Sequence, residues 1–319
     1  MDMGKQVLVV FPTQERYIER FRREFPDVDF IFSTQKTVTR EMVEDAEAII
    51  GSVPAAFLKN AAKLRWLQLQ SSGVDAYVKP GVLPDAVTLC NSAGAYNLAV
   101  AEHMLTLQLM LLKNMHLYRD SQMEEHWSDH GRVRSIYGSR QLIIGMGDIG
   151  MWYAKQVKAL GAVTIGVKRT KTSKMIDYFD EQHTIDELDE LLPTADCVTL
   201  IIPATPESVH MINADRLKLM QKHALLINGG RGSLIDTDAL MEALSNKTIG
   251  GAGLDVTDPE PLPDHHPLWK CGNIVISPHT AGGDRLDYTI DRNMDIFTRN
   301  LRLYLDSQPL TNVARPAVK

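Results

Sequence analysis

Gly145-Met-Gly-Asp-Ile-Gly150 is the stretch on which the reading of this chain turns. It follows the apolar run Gln141-Leu-Ile-Ile144 and opens a segment of helical pattern, 149–160, that closes on Gly161. A second apolar run, 162–167, comes next. Strand, glycine turn, helix, strand is the setting in which G-x-G-x-x-G marks a dinucleotide site. Gly145 permits the tight turn. Gly147 has no side chain, so a pyrophosphate approaches the backbone there. Gly150 lets helix and strand pack closely. The anion then rests on free N–H groups and the positive dipole end of the helix. Glycine turns are common, so the pattern carries weight only through this setting.

Working outward, the same alternation continues on both sides. Downstream, 196–202, 224–228, 250–255 and 273–277 read as strands, with helices over 185–192, 214–220 and 236–244. Upstream, strands over 5–11, 28–32, 48–52, 65–71 and 87–91 alternate with helices over 14–25, 39–45 and 55–61. Strands alternating with helices in short units imply parallel sheets. Residues 95–117 read as one long helix, apolar on most faces, of the kind that belongs between packed units. Residues 118–138 are polar and irregular, with Trp127 isolated among charges, and form either a surface arm or a partner contact. His126 and His130 have i, i+4 spacing but no third ligand nearby, so a solvated segment is expected and no metal. Leu286, Ile290, Met294, Phe297, Leu301 and Leu305 fall on one helix face. The tail, 308–319, offers no evident core.

Bulk properties exclude several classes. A chain of 319 residues is long enough for about two domains. Its net charge of -6, with no basic block, argues against nucleic acid as a partner. The longest apolar stretch, 98–112, contains Glu102, His103 and Gln108, so it reads as a buried helix and not a membrane span. The first residues, Met1-Asp-Met-Gly-Lys-Gln6, lack a signal-peptide layout. Cys90, Cys197 and Cys271 are odd in number and far apart, which suits reduced thiols. A cytoplasmic location is the resulting expectation.

Three strand ends of the second unit carry polar residues that a core would not want. They are Asn228-Gly-Gly-Arg-Gly232, Asp255-Val-Thr-Asp-Pro-Glu-Pro261 and Ser277-Pro-His-Thr-Ala-Gly282. Taken singly, each is an ordinary turn or proline-capped strand end. Together they bring Arg231, Glu260 and His279 to the edge that carries the glycine loop. Reduction of a 2-keto acid needs those residue types. A planar guanidinium grips the carboxylate with two hydrogen bonds. An imidazole delivers a proton to the ketone oxygen as hydride reaches the carbon. A carboxylate beside that imidazole orients it and favours its charged form. In the first unit, Ser71-Ser-Gly-Val-Asp75 also lies at a strand end, where its N–H groups either hold a carboxylate or merely connect.

These motifs resemble those of the D-isomer-specific 2-hydroxyacid dehydrogenase family. The matching stretches are 72–75, 97–103, 145–150, 228–232, 253–263 and 277–282, in an order and spacing that cover nearly the whole chain. The resemblance implies an α/β fold of two doubly wound parallel-sheet domains. A Rossmann-type nucleotide domain, 97–285, would be inserted in a flavodoxin-like substrate domain, 1–96 and 286–319. It also implies that Arg231 binds substrate, that Glu260 pairs with His279, and that His279 is the acid/base. The backbone at Ser72, Gly73 and Val74 would hold the substrate carboxylate. Gly145, Gly147, Asp148, Ile149, Gly150, Pro203, Gly229, Gly230 and Asp255 would line the cofactor. A homodimer, built around the nucleotide domains and the segment near Trp127, is implied as well.

Two departures shape the expected activity. Many family members carry an acidic residue at the end of the second nucleotide-domain strand, whereas this chain reads Val167-Lys-Arg-Thr-Lys171. Lys168, Arg169 and Thr170 favour NADP over NAD. The regulatory domain of the longer phosphoglycerate dehydrogenases is also missing, which weakens a role of that type. The leading expectation is an NADPH-preferring reductase of small 2-keto acids, such as glyoxylate or hydroxypyruvate. A redox-sensing corepressor-like binding protein on the same fold is the alternative from another class, and steady turnover of a keto acid separates the two. Formate dehydrogenases resemble the same family but are expected to have Gln where Glu260 stands.

Overall fold

The structure, a computed structural model, describes residues 6–11, 14–171 and 174–317. Lys5, expected to open the first strand, lies outside the described residues with 1–4, as do the last two residues of the tail. The chain divides into two compact units, one of 1–96 with 284–319 and the other of 97–283. The return crossing falls at Gly283–Asp284, slightly before the 285–286 step expected from sequence.

The first unit opens with β1 (Gln6–Val10), α1 (Glu15–Glu24), β2 (Asp29–Ser33), α2 (Arg40–Asp45), β3 (Ala48–Gly51), α3 (Ala55–Leu58), β4 (Trp66–Gln68) and β5 (Thr88–Cys90). Short runs of Val, Ile and Leu make these strands, and Ala48 to Gly51 is buried throughout, as a strand covered on both faces must be. Helix α1 buries Tyr17 and Phe21, four residues apart, on one face. The Thr39 hydroxyl caps α2 by accepting the Met42 N–H at 3.3 Å.

The second unit begins with α4 (Asn97–Leu112) and α5 (Met115–Met123). The single long helix expected over 95–117 is therefore broken. Asn114 takes a left-handed conformation, φ 54°, between the two helices, and Asn tolerates that region better than most residues. Helix α4 buries Val100, Met104, Leu107 and Leu111. Its buried Gln108 is paired on both sides, donating to Gln141 Oε1 at 2.8 Å and accepting from the Tyr153 hydroxyl at 2.7 Å.

Then come β6 (Arg140–Ile144), α6 (Asp148–Ala159), β7 (Val163–Lys168), β8 (Glu181–Thr184), α7 (Leu188–Leu191), β9 (Cys197–Leu200), α8 (Ala214–Leu219), β10 (Leu225–Asn228), α9 (Thr237–Ser245), β11 (Gly251–Leu254) and β12 (Ile274–Ile276). The sheet order is β12-β11-β10-β9-β6-β7-β8, and every pairing is parallel. Strand order reverses between β6 and β9. Open α/β sheets bind ligands outside the carboxyl ends of their strands at such a switch point.

The chain returns to the first unit through α10 (Asp287–Leu305) and β13 (Val313–Arg315). Ile290, Met294, Phe297 and Leu301 of α10 pack with Val7, Val9, Phe11 and Trp66. The sheet order is β13-β5-β4-β3-β1-β2. Its first five strands in sequence are parallel, in the order of flavodoxin-like sheets. The tail corrects the sequence reading. Strand β13 adds antiparallel to β5, and Arg315 donates to the carbonyls of Pro84 at 2.5 Å and Val87 at 3.2 Å.

Candidate active site

The glycine turn joins β6 to α6 at the switch point. Gly145 has φ +117°, and a Cβ there would lie 2.2 Å from the Ile201 carbonyl oxygen. A Cβ on Gly150 would lie 1.9 Å from the Gly145 carbonyl oxygen, so the fold itself requires both glycines. Gly147 differs. Its φ is an ordinary -83° and nothing lies within 4 Å of a Cβ built there. No internal contact demands glycine at 147, which fits an open cradle for a pyrophosphate. Gly147 is the N-cap of α6, and no side chain caps the helix. Among the described residues, the N–H groups of Asp148, Ile149 and Gly150 meet no acceptor, and as first-turn groups of a helix they suit an anion.

Beside this turn, a cavity of about 660 Å³ is walled by Val167, Lys168, Arg169, Pro203, Thr205 and Glu207, among others. That volume suits a small-molecule site. Lys168 is half-buried at the end of β7, while Arg169 is exposed on the rim. Thr170 is exposed and does not line the cavity. Glu207 shares the wall with Arg169. The Thr205 hydroxyl, and to a smaller degree the Arg169 charge, hold its carboxyl below the ordinary range. Sequence reading passed over Glu207, which sits in a loop with no motif around it.

Three polar turns succeed three neighbouring strands. Asn228, Leu254 and Ile276 are in register across β10, β11 and β12, so the three turns emerge on one edge. In the first turn, Asn228 accepts the Gly230 N–H at 3.0 Å and donates to the Arg231 carbonyl at 2.9 Å. Arg231 is half-buried, and its guanidinium reaches the Gly230 carbonyl at 2.8 Å. A Cβ on Gly232 would lie 1.9 Å from the Thr257 carbonyl oxygen, so this turn rests directly on the loop that carries Glu260. Glu260 in turn meets the third loop, its Oε1 lying 2.6 Å from His279 Nδ1. With Nδ1 engaged, Nε2 is the ring nitrogen left for other chemistry. His279 has φ 50°, in the left-handed region.

The other residues expected at the site lie close around these turns or in the first unit. Gly229 and Gly230 pack so closely that a Cβ would meet Met104 Sδ at 2.7 Å and the Ile202 carbonyl oxygen at 2.7 Å. Asp255 is 3% exposed, and its carboxylate turns into the His279 loop, accepting the Thr280 N–H at 2.9 Å. In the first unit, Ser72, Gly73 and Val74 come after β4 in a half-buried loop, held by Asn91 Nδ2 on the Ser72 carbonyl at 2.8 Å. Among the described residues, neither the Gly73 nor the Val74 N–H meets an acceptor. His130, which shares i, i+4 spacing with His126, meets Ser121 Oγ at 2.8 Å through Nε2. Among the described residues, no group of three or more His, Cys, Asp and Glu would hold a metal ion. No helix among them is long and apolar enough to cross a membrane.

The sequence profile of the D-isomer specific 2-hydroxyacid dehydrogenase, NAD binding domain, matches residues 105–281. This chain belongs to that family. As a member it is an oxidoreductase, an NAD(P)-dependent 2-hydroxyacid dehydrogenase with an NAD-binding Rossmann domain. It is 32% identical over 274 residues to the glycerate dehydrogenase of Methylorubrum extorquens, covering 82% of this chain and 83% of that one. It is 31% identical over 249 residues to glyoxylate/hydroxypyruvate reductase B of Serratia proteamaculans, covering 75% and 76%. The fold is similar to a solved family protein from Aeromonas salmonicida, with TM-score 0.86 and 28% identity over 97% of this chain and 98% of that one. The expected fold class, two doubly wound parallel-sheet α/β domains, agrees with the strand order of both sheets.

Proposed function

We propose that this family member reduces small 2-keto acids, glyoxylate or hydroxypyruvate among them, to D-2-hydroxy acids, and prefers NADPH. The observation that carries the reading is the Glu260–His279 pair at 2.6 Å. It stands at the strand edge that also presents Arg231, in a unit whose glycine turn is open at Gly147. When bound, the reduced nicotinamide supplies the hydride. The chain's own residues do the rest. Arg231 holds the substrate carboxylate. Glu260 fixes the His279 ring through Nδ1, so that Nε2 gives its proton to the ketone oxygen. In the reverse direction the same nitrogen takes the proton back, as one site must for both directions.

Lys168 and Arg169 support the NADPH preference, because two cations stand at the end of β7 where a carboxylate would bond a ribose 2′-hydroxyl. The names borne by the Methylorubrum and Serratia relatives support the substrate class. A homodimer belongs to the same proposal, through the segment around the fully exposed Trp127. A sedimentation mass equal to one chain would remove that part.

The test is a panel of 2-keto acids, each assayed with NADPH and with NADH. Glyoxylate and hydroxypyruvate should turn over, with NADPH the better cofactor. Binding of either cofactor without turnover of any keto acid would refute the reading and favour a sensor on the same fold.

A further inference from the structure

The carboxylate of Asp255 is buried, yet its bonds converge on the turn that presents His279. Oδ1 accepts the Thr280 N–H at 2.9 Å, and Oδ2 accepts the Ala281 N–H at 3.1 Å. The His279 N–H goes to the Asp255 carbonyl oxygen at 2.7 Å. Oδ1 also lies 2.7 Å from Ser277 Oγ, which in turn lies 2.7 Å from Nε2 of His103. His103 comes from α4, 174 residues earlier in the chain.

The proton directions in this chain are fixed by elimination. An ionised carboxylate only accepts, so Ser277 must give its one hydroxyl proton to Asp255. Ser277 Oγ then has only lone pairs for His103, and Nε2 of His103 must carry a hydrogen. The sequence is His103 Nε2–H to Ser277 Oγ–H to Asp255 Oδ1. His103 Nε2 is also 3.4 Å from Asp255 Oδ1. A hydrogen bond to an ionised acceptor is stronger than one between neutral groups, and here such bonds hold the residues on both sides of a left-handed His279.

We propose that His103 and Ser277 are positioning residues for proton transfer, acting through Asp255 to hold the 277–281 turn and so to aim the His279 ring. This rests on the reading of His279 as the proton donor. Neither residue touches the reacting atoms in this proposal. Each acts on the turn, and only through His279 on the rate.

The test uses Ser277→Ala and His103→Leu, which delete the bonds, and Ser277→Thr and His103→Gln, which keep a hydroxyl and an N–H donor. Each is made in the parent and in His279→Ala. With glyoxylate and NADPH, the two deletions should lower kcat about ten- to a hundredfold in the parent, the worth of a bond to a charged group. KM and the cofactor Kd should stay within about twofold, since no binding group is lost. The two conservative variants should recover most of the loss. In His279→Ala the deletions should cost nothing further, because residues that act through one group are not additive. Equal losses in both backgrounds would overturn the proposal and leave a general packing role. Amide hydrogen exchange of Thr280 and Ala281 gives an answer without turnover. It should be faster in the deletions than in the parent, and unchanged exchange would also overturn the proposal. If the parent reduces no keto acid, the functional reading fails on its own, and the exchange rates still decide whether the relay holds the turn.

Discussion

His279 reaches Glu260 from a backbone conformation that L-residues seldom adopt, φ 50°. Such a residue costs about 1–3 kcal/mol and persists only where its surroundings over-determine it. Here the surroundings are the Asp255 carboxylate and the Ser277 carbonyl, the latter accepting the His279 N–H at 3.0 Å. His279→Ala should therefore fold, and should lower the rate of keto acid reduction by about 10²–10⁴, the usual worth of a positioned acid. Near-normal turnover in His279→Ala would remove it from the chemistry. That Glu260 and His279 share one strand edge was legible in sequence, since both are polar residues placed just past apolar strands, whereas their pairing was implied by the family resemblance. The partnership of His103, Ser277 and Asp255 was not legible. Side chains this far apart in sequence declare nothing about each other until the fold places α4 beside β12.

Elements differ in how openly they are written. Strands β6, β7 and β9 are apolar runs and were readable. Strand β8 is Glu181-Gln-His-Thr184, partly buried at the sheet edge, and no alternation marks it. It exists because β7 offers it a parallel partner, Ile165 opposite Glu181. The end of β7 sets the cofactor prediction. Lys168 and Arg169 wall the cavity on the β7 side, and a carboxylate among them would repel a 2′-phosphate. One charged hydrogen bond, roughly 1.5–3 kcal/mol, is worth about tenfold or more in affinity. NADPH should therefore exceed NADH by at least about tenfold in kcat/KM, and the margin should shrink at high salt as charges are screened. Lys168→Asp should erode the preference more than Arg169→Ala, because it adds repulsion. Equal use of the two cofactors by the parent would exclude the clamp. Glu207, which shares the cavity wall and feels the Arg169 charge, leaves less positive charge there than the sequence of β7 alone suggested.

At the level of the whole molecule, both sheets bury their thiols. Cys90 on β5 is pushed up to about 11 by burial, and Cys197 on β9 to about 12. The thiolate is the reactive species, so neither should react with an aromatic disulfide at pH 8 while the protein is folded. At most Cys271, which is partly exposed, should titrate. Unfolding should release all three. The sign for stability comes from the same shifts. A thiol raised in the folded state is neutral there, while the unfolded thiol ionises near its ordinary 9.0. Stability should thus fall as pH rises from 9 toward 11 and 12. Rapid labelling of two or more native thiols at pH 8 would contradict the burial of these strands.

The return of the chain through α10 and β13 has a consequence for how the protein is made. The first 96 residues leave the ribosome with β5 as an open edge and with Val7, Val9, Phe11 and Trp66 lacking the helix that covers them. The second unit, by contrast, is complete once Gly283 has emerged. Domains usually finish in the order of their synthesis, and here the order is inverted, with the inserted unit free to fold before the one that frames it. An uncovered sheet edge is a template for wrong pairing, so stalled or truncated chains carry the hazard in their N-terminal part. A nascent chain arrested with 97–283 exposed should show protease resistance in that span and cleavage within the first 96 residues. Uniform protection of both parts before α10 appears would show that the frame closes without its last two elements.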